Sequence, residues 1–296
     1  MKKATFFLRY RKLFLRVALY CCAFLAAFYL VAPFLWLVIS SFMYEREAIS
    51  VPPHWIPEEP TLDRYLAYFF PSKSEANIGA AVARMYRYGL RNSFIIASSV
   101  TLINLILGPL AAYSLARLQF RGGQFLLFFY LGSRSVPAVA IMIPFFVVMK
   151  TYNLLDTHLA VILAHTTFTI PFTIWILKGY FQTIPMELER AARVDGCNRL
   201  QALIRIFMPV AVPGLIAAGI FSFMLSWGEF LFALLFTSTI KTKTVTVLAS
   251  SFTSDVGAEF TLIAAGGVLA VLPPLLLILI FQRFVVQGLV GGAVKG

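Results

Sequence analysis

Six long apolar runs dominate the chain, at about 17–41, 92–116, 124–149, 158–177, 209–237 and 261–281, with polar, charge-bearing segments between them. A helix needs about 20 apolar residues to cross the roughly 30 Å hydrocarbon core of a bilayer, so each run predicts one membrane-spanning helix. Irregular backbone facing lipid would lose its hydrogen bonds, and the expected fold is therefore an all-α integral membrane protein of six spans in a single domain, 1–296. The first run follows the basic "MKKATFFLRYRKLFLR" and exceeds the apolar core of a secretory signal, so it reads as an uncleaved span. Pro33 within it reads as a kink that neighbouring helices tolerate.

Composition agrees with the pattern. Hydrophobic residues make up 60% of the 296, charged residues 13%, and mean hydropathy is +0.83, far from the range of a soluble domain. Net charge is +12, and its distribution sets the expected orientation. With the N-terminus inside, the cytoplasmic segments hold fifteen basic and three acidic residues and the external segments nine of each. The positive-inside rule favours that arrangement, with both termini cytoplasmic. Topology thus accounts for a basic balance that would otherwise invite a nucleic-acid reading. The three cysteines, Cys21, Cys22 and Cys197, have neither a paired framework nor metal-ligand spacing.

Three polar regions remain. Residues 42–91 form an external loop long enough for a small cap or a docking surface. Residues 238–260 form a second, Thr/Ser-rich external loop, either a solvated turn or a segment that reaches into a partner. The third, "ELERAARVDGCNRLQALIRIFMP" at 187–209, lies in a cytoplasmic loop, 178–208, between spans 4 and 5. Pro185 suits a first helical turn, Glu187 and Glu189 complement the positive helix start, and Gly196 is placed to stop the helix. Asn198 can cap a second short helix with Leu200, Leu203 and Ile204 on one side, before Pro209 opens the next span. Ala191 and Ala192 strip bulk from the first helix, so its backbone can approach another surface. Taken alone, the segment also reads as an interfacial amphipathic helix in the headgroup layer.

The order Ala191, Ala192, three residues, Gly196, nine residues, Ile206, one residue, Met208, Pro209 resembles the "EAA" loop of permease subunits of binding-protein-dependent ABC importers. Further segments are similar to the carbohydrate-uptake branch, of the maltose-permease type: "PPHWIPEEPTLDRY", "AAYSLARLQFRG", "SRSVPAVAIMIPFF", "SWGEFLFALLFTS" and the terminal "GLVGGAVKG". The resemblance implies an inner-membrane translocation subunit that is not itself an enzyme. It implies a homodimeric cytoplasmic ABC ATPase, which binds the ATP and Mg, a second permease subunit, an external solute-binding protein and a sugar-like substrate. It assigns ATPase coupling to Glu189, Arg190, Ala191, Ala192, Asp195 and Gly196, and an ATPase-contacting role to Gly292, Lys295 and Gly296 in the cytoplasmic tail, 282–296. A frayed tail is the ordinary alternative. Thr253, Ser254 and Asp255 are candidate contacts with the binding protein. One departure stands out: Arg190 occupies the position where the family usually has glutamate, and Glu189 lies about 100° away around the helix.

Two ionisable residues, Arg134 and Glu229, stand out inside apolar runs, where charge is costly and usually functional. Arg134, in "GSRSVP", predicts an irregular, cavity-facing stretch; with Ser133, Trp227 and Glu229 it is a candidate for the substrate pathway, or it pairs with Glu229 as a structural ion pair. Trp227, Phe230 and Phe232 either stack on sugar faces or pack. His54, His158 and His165 have no carboxylate or cysteine at ligand spacing in the sequence, and no phosphate-binding Gly-rich loop is present, so the chain is expected to bind no cofactor. The alternatives are a permease for a non-sugar solute, a stand-alone secondary transporter, which should show repeats or paired intramembrane charges, and a membrane enzyme, which lacks a catalytic set.

Overall fold

The computed structural model describes residues 2–70, 78–118, 120–251 and 260–293, and among them every regular element is a helix. In chain order these are α1 (Lys2–Ser40), α2 (Glu45–Ala48), α3 (Asp63–Phe69), α4 (Ile78–Arg117), α5 (Gly123–Ser133), α6 (Ala138–Thr151), α7 (His158–Thr183), α8 (Met186–Val194) and α9 (Arg199–Ala202). A π-helical turn (Leu203–Phe207) then leads through α10 (Met208–Val210) to α11 (Val212–Trp227), α12 (Leu231–Phe236), α13 (Val245–Ser251) and α14 (Phe260–Ala293).

Four helices are long and apolar enough to cross a membrane singly, namely α1, α4, α7 and α14. Two bent pairs bring the number to six: α5 with α6, turned by 93°, and the α9–α10 stretch with α11, turned by 83°. The apolar run at 124–149 is therefore broken rather than one straight helix. The cause is local: Pro137 has no N–H to continue the α5 ladder, and it starts α6 instead. The run at 209–237 breaks as well, where Gly228 ends α11 and Phe230 precedes α12. The helix that carries the second apolar run begins ahead of it, since α4 starts at Ile78.

The bundle is organised on α4, which packs along α7, with α11 against both and α14 covering α11. Small residues set the approach. A Cβ on Gly108 would lie 2.7 Å from Thr173 Cγ2, and one on Gly214 would lie 2.5 Å from the Tyr180 ring, so α4–α7 and α7–α11 meet where glycine leaves room. With lipid as apolar as leucine, such packing rather than water exclusion holds the helices. α1 touches mainly α14 and leaves Phe24, Phe28 and Leu30 exposed, which suits a helix bathed in hydrocarbon.

Acidic residues tie the polar ends. The Glu45 carboxylate accepts from Phe260 N (2.8 Å), Thr261 N (3.1 Å) and Thr261 Oγ1 (2.9 Å), capping the start of α14. Asp156, left-handed at φ 58°, joins the α6–α7 turn to the segment after α12. Its Oδ1 accepts from Ser238 N (2.9 Å), Thr239 N (3.0 Å) and the Thr242 hydroxyl. Burial alone would push this carboxyl up, but the hydrogen bonds outweigh it and hold Asp156 well below the usual carboxylate range.

Candidate functional site

The two breaks and α7 line a half-open cavity of about 150 Å³, bordered by Arg134, Ala138, His165, Phe168, Thr169, Leu225, Glu229 and Phe232. His165 sits seven residues into α7, so the cavity lies about 10 Å along that helix, inside its apolar stretch. Glu229 stands at the α11–α12 break, and its carboxylate caps α12: Oε1 accepts from Phe232 N (3.0 Å) and Oε2 from Ala233 N (3.2 Å). Its backbone carbonyl accepts from Thr246 Oγ1 (2.8 Å). His165 Nε2 lies 2.8 Å from Glu229 Oε2, and Nδ1 lies 2.8 Å from Ser226 Oγ. Facing a carboxylate, an acceptor, Nε2 is the donor. Behind them Asn104 Nδ2 donates to Thr169 Oγ1 and Ser222 Oγ, both at 2.6 Å, and Thr169 Oγ1 donates to the His165 carbonyl (2.8 Å). One polar network thus crosses α4, α7 and α11.

Arg134 follows α5 at the 93° break, with Cζ 5.1 Å from the centre of the Phe172 ring. The pairing of Arg134 with Glu229 weighed from the sequence is not made: Glu229 goes to His165, and among the described residues no carboxylate reaches ion-pair distance of Arg134. Ser133 is exposed, its hydroxyl donating to the Tyr130 carbonyl (2.7 Å). Trp227 does not line the cavity. Its ring stacks on Phe223 at 5.5 Å and its indole N–H donates to the Ala270 carbonyl (3.1 Å), so it packs α11 onto α14. Phe232 does reach the cavity wall, stacked on Phe168 at 5.0 Å. His165 was not singled out from the sequence, because its carboxylate is 64 positions away; the available signal was an imidazole inside an apolar span.

A second constellation sits at the other end of α4. α8 starts after Pro185 and ends at Gly196, whose φ of +83° is left-handed and suits glycine. Asn198 then caps α9 in a reciprocal box: its Oδ1 accepts from Gln201 N and Gln201 Oε1 accepts from Asn198 N, each at 2.8 Å. On α8, Arg190, Ala191 and Val194 face outward, whereas Glu189 and Ala192 are buried. Glu189 Oε1 accepts from the Tyr113 hydroxyl (2.7 Å), and Oε2 lies 3.9 Å from Arg117 Nε. Arg117 also donates to the Phe181 carbonyl (2.5 Å) and to that of Ile184, closing the end of α7, and lies over the Phe207 ring at 4.8 Å. One arginine and one tyrosine of α4 thus join α7, α8 and the π-helical turn. Asp195 is exposed at the end of α8.

Gly292 lies in the backbone of α14, while Lys295, Gly296, Thr253, Ser254 and Asp255 lie outside the described residues. A larger concavity of about 600 Å³, between 44 and 64, is charged, but Glu45 there caps α14 and Glu47 accepts from Glu58 N (2.7 Å).

Comparison with known proteins adds to this geometry. Residues 80–291 match the family described as binding-protein-dependent transport system inner membrane component. The sulfoquinovosyl glycerol transport system permease protein SmoH of Agrobacterium fabrum is 33% identical over 89% of this chain and 88% of its own length. The trehalose/maltose transport system permease protein MalG of Thermococcus litoralis is 30% identical over 95% of this chain and 97% of its own. A solved bacterial ABC transporter involved in import of the acidic polysaccharide alginate shares the fold, with TM-score 0.72 at 19% identity over 90% of this chain and 95% of the matched chain.

Proposed function

From the premise that this chain belongs to the binding-protein-dependent transport system inner membrane component family, we propose that it carries a sugar or sugar-derived solute across the inner membrane. It is the permease subunit of an ABC importer and not an enzyme; ATP hydrolysis is the work of a separate partner. The importer acts with an external solute-binding protein, and on our reading it is completed by a second permease and a homodimeric ATPase that holds ATP and Mg. The charge distribution supports cytoplasmic termini, which places α8 on the ATPase side and the Asp156 clamp outside.

The observation that carries the coupling is the joint beneath α8. Arg190, Ala191 and Val194 face away from the bundle and are free to meet an ATPase cleft, while Glu189 faces inward to Tyr113 and Arg117. A push on the outer face of α8 therefore reaches α4 and α7 through fixed contacts. Glu189 serves as the anchor of that lever rather than as its surface contact. Arg190, where relatives of this type usually have glutamate, calls for an acidic partner residue, and Asp195 supplies an acidic edge. Gly292, Lys295 and Gly296 remain tail candidates for ATPase contact, and Thr253, Ser254 and Asp255 remain candidates for the binding protein.

Purification from the native membrane in mild detergent tests the reading. Recovery of an ATPase and a second permease, and ATP-dependent sugar uptake by the reconstituted set, are the expected results. Solute movement by this chain alone, without ATP, sinks it in favour of a stand-alone transporter.

A further inference from the structure

The cavity between the two broken spans is unbalanced in its hydrogen-bonding groups. Both Glu229 oxygens already accept, from Phe232 N, Ala233 N and His165 Nε2. His165 is engaged at both ring nitrogens, and Thr169 Oγ1 both donates to the His165 carbonyl and accepts from Asn104. Arg134 differs: among the described residues its guanidinium has the Phe172 ring face and no carboxylate or carbonyl acceptor. A guanidinium is always charged and offers five N–H donors and no acceptor. The walls beside it, Phe168, Leu225 and Phe232, are apolar, and Arg134 itself is exposed at the mouth of the cavity, within reach of an entering solute.

A neutral sugar hydroxyl both donates and accepts; here three bonds leave about one of the roughly four lone-pair sites of Glu229 free, while Arg134 brings five N–H donors, so donors are in surplus. A group that only accepts is the chemical complement. We infer that Arg134 receives the anionic group, a carboxylate or a sulfonate, of an acidic sugar as it crosses the membrane. A cavity of about 150 Å³ holds roughly five waters' worth of volume, enough for such a group beside the ring that carries it. Glu229 and His165 then act as a closed pair that keeps the site's own carboxylate from taking Arg134. The inference rests on the importer reading, and it adds the class of solute.

The test uses the complete importer in proteoliposomes, loaded with ATP and supplied with its binding protein. Digalacturonate and a 6-sulfonated glucoside form the acidic panel, with trehalose and maltose as the neutral one. The expected result is uptake of an acidic sugar, reduced at least tenfold in Arg134→Gln and largely kept in Arg134→Lys, with the sister permease and ATPase still co-purifying in each. Uptake confined to neutral sugars, or acidic uptake unchanged in Arg134→Gln, overturns the inference and leaves the importer reading standing. Loss of the sister permease from Arg134→Gln also overturns it, because Arg134 would then belong to the contact between subunits. Failure to accumulate any member of either panel removes the sugar-importer reading itself.

Discussion

Glu189 and Glu229 are two carboxylates in apolar surroundings, with side chains 10% and 21% exposed, and they are held in different ways. Glu229 is satisfied largely by its own neighbourhood: two amides of the helix that follows it, and one imidazole from α7. Glu189 is held by a different helix altogether: Oε1 accepts from Tyr113 of α4, and Oε2 faces Arg117 Nε at 3.9 Å by charge alone, without a hydrogen bond. The first arrangement shapes a break in a span and leaves the nearby cation, Arg134, unclaimed. The second engages its cation: Arg117 faces Glu189 and at the same time donates to the Phe181 and Ile184 carbonyls at the end of α7. A closed joint transmits force, whereas an open cation can take a ligand. On the proposed reading, the same residue types serve movement at one end of the bundle and recognition nearer the middle.

Breaking the joint should have the largest effect. Arg117→Met strands Glu189 beneath α8 and strips the caps from Phe181 and Ile184. Removing one partner of a buried pair costs about 3–5 kcal/mol. We expect a large fall in the melting temperature of the detergent-purified importer and loss of uptake. Glu189→Gln keeps an acceptor for Tyr113 and should cost less, but it should raise ATP hydrolysed per solute moved. An unchanged ratio in Glu189→Gln would remove the lever account.

The cavity side should respond more mildly. His165→Ala withdraws one donor from Glu229 and leaves its two amide donors in place, a loss of about 1–3 kcal/mol. Combining it with Glu229→Gln should cost less than the sum of the single changes, because the two residues act on one contact. Strict additivity in a thermal-melt cycle would show that the 2.8 Å contact has no energetic consequence.

Outside the bundle, Asp156 predicts a pH signature. Its carboxyl is depressed in the folded chain, so the ionised form stabilises the fold. That contribution is complete above the unfolded carboxylate value, near about 3.9. It declines as pH falls below that value and is lost through the folded one. The difference in melting temperature between the natural chain and Asp156→Asn should therefore be constant from pH 7 down to about 5 and vanish only in strong acid. A difference that disappears between pH 7 and 5 would assign the clamp to another group.

How far the sequence could be read depends on the range of each interaction. The helical membrane fold follows from run length and hydropathy, and the short helices α8 and α9 follow from Pro185, Gly196 and Asn198, whose signals act within a few residues. The break in the 124–149 run is hinted at by "GSRSVP", but the 93° angle and the packing of α6 against α12 are not. Partners chosen across the bundle were not legible. Arg134 and Glu229 are the two intramembrane charges visible in the chain, and pairing them is the natural expectation. The fold instead brings His165, 64 positions before Glu229, within 2.8 Å. For Trp227 the sequence leaves stacking on a sugar and packing both open, and only the fold shows its indole N–H meeting Ala270 of α14. Likewise, nothing local to "ELERAAR" shows that Glu189 turns inward, since Tyr113 lies 76 positions earlier.

The smallest expected effect sharpens the contrast between anchor and surface. Asn198, exposed, and Gln201, half-buried, cap α9 at 2.8 Å in both directions, away from the Arg117 joint. Asn198→Ala removes one half of the box and should cost about 1 kcal/mol, the usual loss for an N-cap. The energy is local to a four-residue helix, so α8 should stay fixed to α4 through Glu189. Uptake and ATP consumed per solute should then stay near those of the natural chain, while amide exchange at Leu200 and Gln201 quickens. If Asn198→Ala uncouples transport as strongly as Arg117→Met, the rigid element beneath the membrane is the whole α8–α9 pair, and the joint at Glu189 is only one of its supports.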